Sequence, residues 1–139
     1  MEIEKAVAAA RANHQAVLTT VKGDGKPQLS NVLQAVGEDG LIRVSTTADR
    51  AKYANVRRTP WVAVHVNGDN FWSYAVIEGE AETSQVAATP DDDAVEELVE
   101  LYRSLQGEHA DWEDYRAAMV RDRRVVIRVR PTRAYGALR

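Results

Sequence analysis

Three turn signals divide residues 15–83 into β-branched segments of strand length, and no other feature of the chain constrains its fold as much. Gly23-Asp24-Gly25, Gly37-Glu38-Asp39-Gly40 and Asn67-Gly68-Asp69-Asn70 each supply residues that tolerate the backbone angles of a tight reversal. They separate strand-like stretches at 15–22, 26–36, 41–46, 61–66 and 71–83. The last of these is long enough to bend or bulge near Gly79. A sixth stretch, 123–131, sets Val125, Ile127 and Val129 against Arg124, Val126, Arg128 and Arg130, the period-two pattern of a half-buried strand. Six strands joined mostly as hairpins predict a mainly β, α+β antiparallel barrel, because closing a sheet removes its exposed edges.

Helices flank this sheet. Ile3, Ala6, Val7 and Ala10 recur at helical spacing and predict an amphipathic N-terminal helix. A short helix over 50–58 is opened by a cap from Thr47 or Asp49 and ended before Pro60. A third begins at Thr89-Pro90-Asp91-Asp92-Asp93, with Pro90 in its first turn and its carboxylates at the positive end of the dipole. It continues as the stripe Val95, Leu98, Val99, Tyr102 and Leu105, and Gly107 closes it. A fourth covers 111–120, with Trp112, Tyr115 and Met119 on one face.

At 139 residues the chain is expected to form one domain, 1–139. No cysteine is present, which removes disulfides, thiol catalysis and thiolate metal sites; His14, His65 and His109 lie at no metal-site spacing, so no metal is expected. The apolar runs are too short for a membrane span, and the acidic start is unlike a signal peptide, so a cytoplasmic location is the expectation. A net charge of -3 argues against general nucleic-acid binding. The charges are segregated: thirteen acids fall between Glu78 and Asp114, whereas residues 116–139 hold eight arginines against Asp122.

A catalytic set is not visible. No serine has the glycine-flanked elbow of a nucleophile, and Gly23–Gly25 has no following helix to make it a phosphate loop. If the chain is an enzyme, a bound cofactor supplies the reactive centre. The stretch Arg50–Pro60 carries Arg50, Lys52, Arg57 and Arg58 with no acid. It is either a solvated helix face or an anion site; cations at a helix N-terminus oppose its dipole and suit a bound anion. Phe71, Trp72 and Tyr74 cluster near a strand start, with Trp72 and Tyr74 expected on one side, as packing or as a surface for a ring.

The order of the motifs TTVKGDGKPQLSNV (19–32), IRVSTTADRAKYANVRRTP (42–60), WSYAVIEGEAE (72–82), the long block 89–131 and AYG (134–136) resembles the pyridoxamine 5'-phosphate oxidase-like split β-barrels of the FMN-binding type. Within them it is similar to the small actinobacterial proteins that bind the deazaflavin coenzyme F420. The resemblance implies a homodimer with cofactor sites between subunits. It implies that Gln28, Leu29, Ser30 and Asn31 run beside the ring, that Ser45, Thr46, Arg50 and Lys52 bind the phosphate, that Asn55 assists, and that Trp72 and Tyr74 reach the partner's ring. Arg57 and Arg58 are then guides for an anionic tail or plain surface. The implied reaction is hydride transfer from reduced F420 to an unsaturated organic substrate, with Tyr74, Lys52 or solvent as proton donor. The alternatives are a cofactor-binding or storage protein without turnover, and an FMN-dependent oxidase. The chain is shorter than the pyridoxamine 5'-phosphate oxidases themselves, and their C-terminal substrate-binding arginine and histidine have no counterpart in Arg133–Arg139.

Overall fold

The structure is a computed structural model and describes residues 1–139. In chain order its elements are α1 (Ile3–Ala12), β1 (Gln15–Val21), β2 (Pro27–Leu33), β3 (Ala35–Val36), β4 (Ile42–Thr47), α2 (Ala51–Arg58), β5 (Trp61–Asn67), β6 (Tyr74–Thr83), α3 (Asp93–Gln106), α4 (Trp112–Arg121) and β7 (Arg124–Ala137). The strands form one antiparallel sheet in the order β2-β1-β5-β6-β7-β4-β3, curled into a split barrel with four flanking helices.

Seven strands replace the six expected, because the stretch 26–36 is broken at Gln34. β2 pairs with β1 and β3 pairs with β4, so the two ends of the sheet are adjacent in the chain. Gln34 is fully buried at this crossing. Its amide Nε2 donates to the carbonyls of Ala10 (2.9 Å) and Asn13 (2.8 Å), and its backbone N–H donates to His14 (2.8 Å). In return His14 Nδ1 donates to the Gln34 carbonyl at 2.9 Å. These bonds satisfy carbonyls at the C-terminal end of α1, which no helix can satisfy internally.

Alternation then fills the barrel. Leu18, Ile42, Val44, Val62, Val64, Val66, Ile77, Ile127 and Val129 point inward, and Ala6 and Ala10 of α1 close one end. A second core lies outside the barrel, where Val95, Leu98 and Val99 of α3 and Met119 of α4 pack on Val126. Val126 is the one apolar residue in the outward row of arginines on β7, and it marks where the helices sit.

Several expected boundaries move. β7 runs on past Pro131 to Ala137; the register slips between Glu78 and Gly79, leaving Pro131, which has no N–H, opposite Gly79. A Cβ on Gly79 would lie 2.5 Å from the Arg130 carbonyl oxygen, so the bulge requires glycine. Neither Thr47 nor Asp49 caps α2; the Thr47 hydroxyl donates to Asp49, and Arg50 itself occupies the cap position without a side-chain bond. In α3 the cap is Asp92, which accepts from Val95 N–H (2.9 Å), so Pro90 precedes the helix rather than lying in its first turn. β6 starts only at Tyr74, which leaves Phe71 and Trp72 in the turn before it. No helix is long and apolar enough to cross a membrane.

α3 is clamped to the sheet by charge. Glu97 accepts from Arg43 Nε (2.8 Å) and from Arg128 Nε (2.6 Å) and Nη2 (2.8 Å). Arg43 also holds Asp39 at 2.7 Å and keeps its carboxyl down at about 2, and Arg128 reaches Glu82 at 3.1 Å. Burial raises the Glu97 carboxyl, but the bonds from Arg128 and Arg43 outweigh it, and the group titrates below its ordinary value.

Two outcomes follow. Gln34→Ala leaves the Ala10 and Asn13 carbonyls without their donor inside the protein and should lower the unfolding free energy by about 2–4 kcal/mol in denaturant titration. A depressed carboxyl contributes stability that is fully present above its unfolded value of 4.5 and is lost as pH falls through the lowered value. The wild type should therefore lose stability on acidification from about pH 5 to pH 3, and Glu97→Gln should be about 1–3 kcal/mol weaker at pH 7 with a flatter profile over that range. Parallel pH profiles for the two proteins would rule out the clamp as the source of acid sensitivity.

Candidate functional site

Strand β4 and the turn after it deliver the polar groups of a cleft. Along β4, Ile42, Val44 and Thr46 are buried while Arg43, Ser45 and Thr47 lie on the other side. The turn into α2 is held by Ala48 N–H donating to the Arg123 carbonyl (3.0 Å) and Arg50 N–H donating to the Thr47 carbonyl (3.1 Å). α2 therefore starts beside the beginning of β7, with Arg50 and Lys52 at its positive end and no acid in its first turn.

The cleft has a volume of about 550 Å³, within the range of small-molecule sites. Its polar floor includes Ser45, Thr46, Thr47, Arg50, Lys52 and Arg124. Leu101, Tyr102 and Leu105 of α3 with Tyr115 and Met119 of α4 form an apolar wall, and Asn31, Val32 and Leu33 of β2 form the rim. No carboxylate lines it. Elsewhere Arg43, Arg103, Arg116, Arg128 and Arg130 each lie within 4 Å of an acid, whereas Arg50, Lys52 and Arg124 have no such partner. Lys52 is pushed below its ordinary value by burial and then by the charges of Arg50 and Arg124. Arg124 Nη1 lies 3.4 Å from Ser45 Oγ, and its Nε is buried without a partner.

Of the residues expected from sequence, the cleft brings together Asn31, Ser45, Thr46, Arg50 and Lys52. The others lie elsewhere. Asn55 is buried; its amide donates to Thr20 Oγ1 (3.0 Å) and Gln28 Oε1 (2.9 Å), and its oxygen accepts from Arg58 (2.8 Å). Asn55 and Gln28 thus fasten α2 to β1 and β2. Ser30 pairs with Leu18 on the inward row of β2, and Leu29, 62% exposed, lies on the outward one. Trp72 is 70% exposed in the turn and meets Phe71 edge-on at 4.9 Å, while Tyr74 stacks on His65 at 5.4 Å. Strand alternation does not govern Trp72, because the strand begins after it. Arg57 packs over Tyr53, with Nη1 donating to the phenol oxygen at 3.0 Å.

Sequence reasoning missed the wall and Arg124. Tyr102 and Leu105 belong to the apolar stripe of α3, but their end of the stripe extends past the core and faces the cleft. Arg124 reads as one of a row of exposed arginines; the signal was its place first in the row, beyond the acids that neutralise Arg128 and Arg130. Tyr115 donates its hydroxyl to the Leu98 carbonyl (3.0 Å), and burial pushes it up to about 12, so it is a fixed part of the wall.

A second cavity of about 520 Å³ lies against the other side of the rim and shares Asn31, Val32 and Leu33; His65 and Asn67 also line it. It opens on a sheet face where Tyr135, Val76, His65, Val17 and Asn31 stand in one row across the strands, flanked by exposed Leu29 and Leu33.

Among solved structures, the fold is similar to that of a conserved hypothetical protein from Mycobacterium tuberculosis, with 24% identity, a TM-score of 0.73, and 96% of this chain and 82% of that one covered. It is similar to an F420 reductase at 28% identity and TM-score 0.68, over 92% of this chain and 94% of that one. It is also similar to an FAD-binding protein from Mesorhizobium loti at 21% identity and TM-score 0.67, covering 96% and 90%. Residues 3–137 match the family described as pyridoxamine 5'-phosphate oxidase, so the chain belongs to that family of split-barrel proteins.

Proposed function

We propose that the protein is an oxidoreductase that uses reduced coenzyme F420 to deliver hydride to an unsaturated organic substrate. The observation that carries this reading is the cleft's pairing of three unneutralised cations with an apolar wall, which suits a ligand that is anionic at one end and flat and apolar at the other. The likeness to an F420 reductase at 28% identity favours F420 over FMN.

The donor set fits such a group. Arg50 and Lys52, with the hydroxyls of Ser45 and Thr46, hold the phosphate; guanidinium supplies a fork and ammonium a point charge. β2 pairs only with β1, so one row of its backbone N–H and C=O groups between Gln28 and Asn31 is free of the sheet and takes the ring edge. Gln28 and Asn55 act through the backbone they brace. When bound, F420 supplies the hydride. The chain aligns the acceptor and excludes water. Of the expected proton donors, Lys52 is engaged with the phosphate and Tyr74, stacked on His65, lies outside the cleft, which leaves solvent to supply the proton.

The protein acts as a homodimer of single-domain subunits in the cytoplasm. The apolar outward face carrying Leu29, Leu33 and Tyr135 is the surface such a dimer covers, and Trp72 and Tyr74 at its border reach toward the partner's site. A binding or storage role without turnover is the second reading, favoured because Tyr115, a phenol of the cleft, is committed to Leu98.

Titration with F420 and with FMN, read by fluorescence and size-exclusion chromatography, tests the assignment. F420 should bind more tightly, to a dimer, and Lys52→Ala should weaken it by about 1–3 kcal/mol, or roughly 5–150-fold. Tighter binding of FMN would overturn the F420 reading. Mixing the reduced complex with a conjugated enone separates the two roles: loss of the reduced-cofactor signal marks a reductase, and its persistence marks a carrier.

A further inference from the structure

We infer that Arg124 is a third anion-binding residue of the cleft, and that the cleft is built for a ligand carrying at least two negative charges there. The inference deepens the phosphate reading of the cleft and rests on it, but not on which cofactor brings the phosphate.

Arg124 comes from a different part of the chain than Arg50 and Lys52, and the fold goes to some trouble to bring it to them. It follows Arg123, whose φ of 52° is the left-handed conformation that a side chain other than glycine seldom adopts. That residue is held by its carbonyl accepting from Ala48 N–H (3.0 Å), in the turn that opens α2, and the Arg124 carbonyl accepts from Ala87 N–H (2.8 Å). The two turns therefore lock each other, and the lock sets Arg124 beside Ser45, facing Lys52 and Arg50 across the cleft floor.

In this position the side chain has no internal purpose. Its Nε is buried with no acceptor, its one side-chain hydrogen bond is the 3.4 Å approach to Ser45, and no carboxylate lines the cleft or lies within 4 Å of it. Three cations line one cleft floor with no carboxylate among them, and a charge cluster of this kind is balanced by a partner supplied from outside. Lys52 is pushed below its ordinary value first by burial and then by the like charges of Arg50 and Arg124. The exposed Asp49 lies near Arg50 and Arg123 but is not among the groups that line the cleft. Three fixed cations facing a monoanion would leave two charges unbalanced in a partly buried space. A phosphomonoester dianion, or a phosphodiester with a carboxylate close behind it, balances the floor.

Thermal unfolding with inorganic anions as probes tests this without any cofactor. At constant ionic strength, pyrophosphate at about a hundredfold excess over its Kd should raise the wild-type Tm by roughly 5–10 °C, while chloride leaves it unchanged. Arg124→Met keeps the side-chain length and removes both the charge and the orphan nitrogen. It should melt higher than wild type without anion and lose most of the pyrophosphate shift; Arg124→Lys, which keeps the charge, should retain part of it. A wild-type-sized pyrophosphate shift in Arg124→Met overturns the proposal, and so does a lower Tm of that variant without anion, which would make Arg124 a structural residue. Failure of F420 to bind a protein that pyrophosphate stabilises through Arg124 would overturn the cofactor assignment and leave the anion site standing.

Discussion

The rest of the structure depends on one crossing, the single residue at which β2 becomes β3. Because those two strands are the opposite ends of the sheet, joining them through Gln34 alone forces the sheet to curl until its ends meet. A polar residue is required there. The chain leaves one ladder and enters another, and the backbone groups it exposes must be bonded inside the core. Gln34 does this with the end of α1, so the helix that closes the barrel and the strand break that curls it are stabilised by the same side chain. The crossing also leaves β2 with a free edge, and the cleft opens between that edge and β4.

A second constraint sets the far wall of the cleft. α3 carries a stripe that matches Val126, but apolar packing alone would let the helix slide along β7. The Glu97 carboxylate, gripped by arginines of β4 and β7, fixes its position. With α3 placed there, Leu101, Tyr102 and Leu105 stand over Ser45 and Lys52. The clamp and the cleft thus share strand β4, whose outward residues alternate between the two: Arg43 serves the clamp, Ser45 the cleft.

Local chemistry was legible in the sequence, and tertiary choices were less so. The turn at Gly23–Gly25, the bulge at Gly79 and the short helix after β4 follow from residues whose backbone preferences decide the matter in place. The break at Gln34 does not, since Leu33, Gln34, Ala35 and Val36 show nothing that distinguishes a continuous strand from one changing partners; the reason for the break lies in α1, more than twenty residues away. Asn55 reads as a helix residue near a phosphate, but whether its amide faces the cleft or Thr20 depends on packing. Arg124, Arg128 and Arg130 are equivalent by alternation, and only the location of Glu97, Glu82 and Glu80 makes the first of them different.

That difference explains how an acidic protein comes to hold a strongly positive cleft. Four of the acids concentrated from Glu78 onward are engaged by the arginines of β7. Glu78 faces Arg133, Glu80 faces Arg130 and Glu82 faces Arg128 in the ladder, and Glu97 reaches over from α3. Arg128, Arg130 and Arg133 of β7 are thereby each paired with an acid. At its first residue the ladder has ended: Thr83 pairs with Ile127, so β6 supplies no acid opposite Arg124. The charge left open there meets Arg50 and Lys52, arriving from β4 and α2. Three cations without an acidic partner thus meet at the cleft floor, a local positive excess in a chain whose net charge is -3.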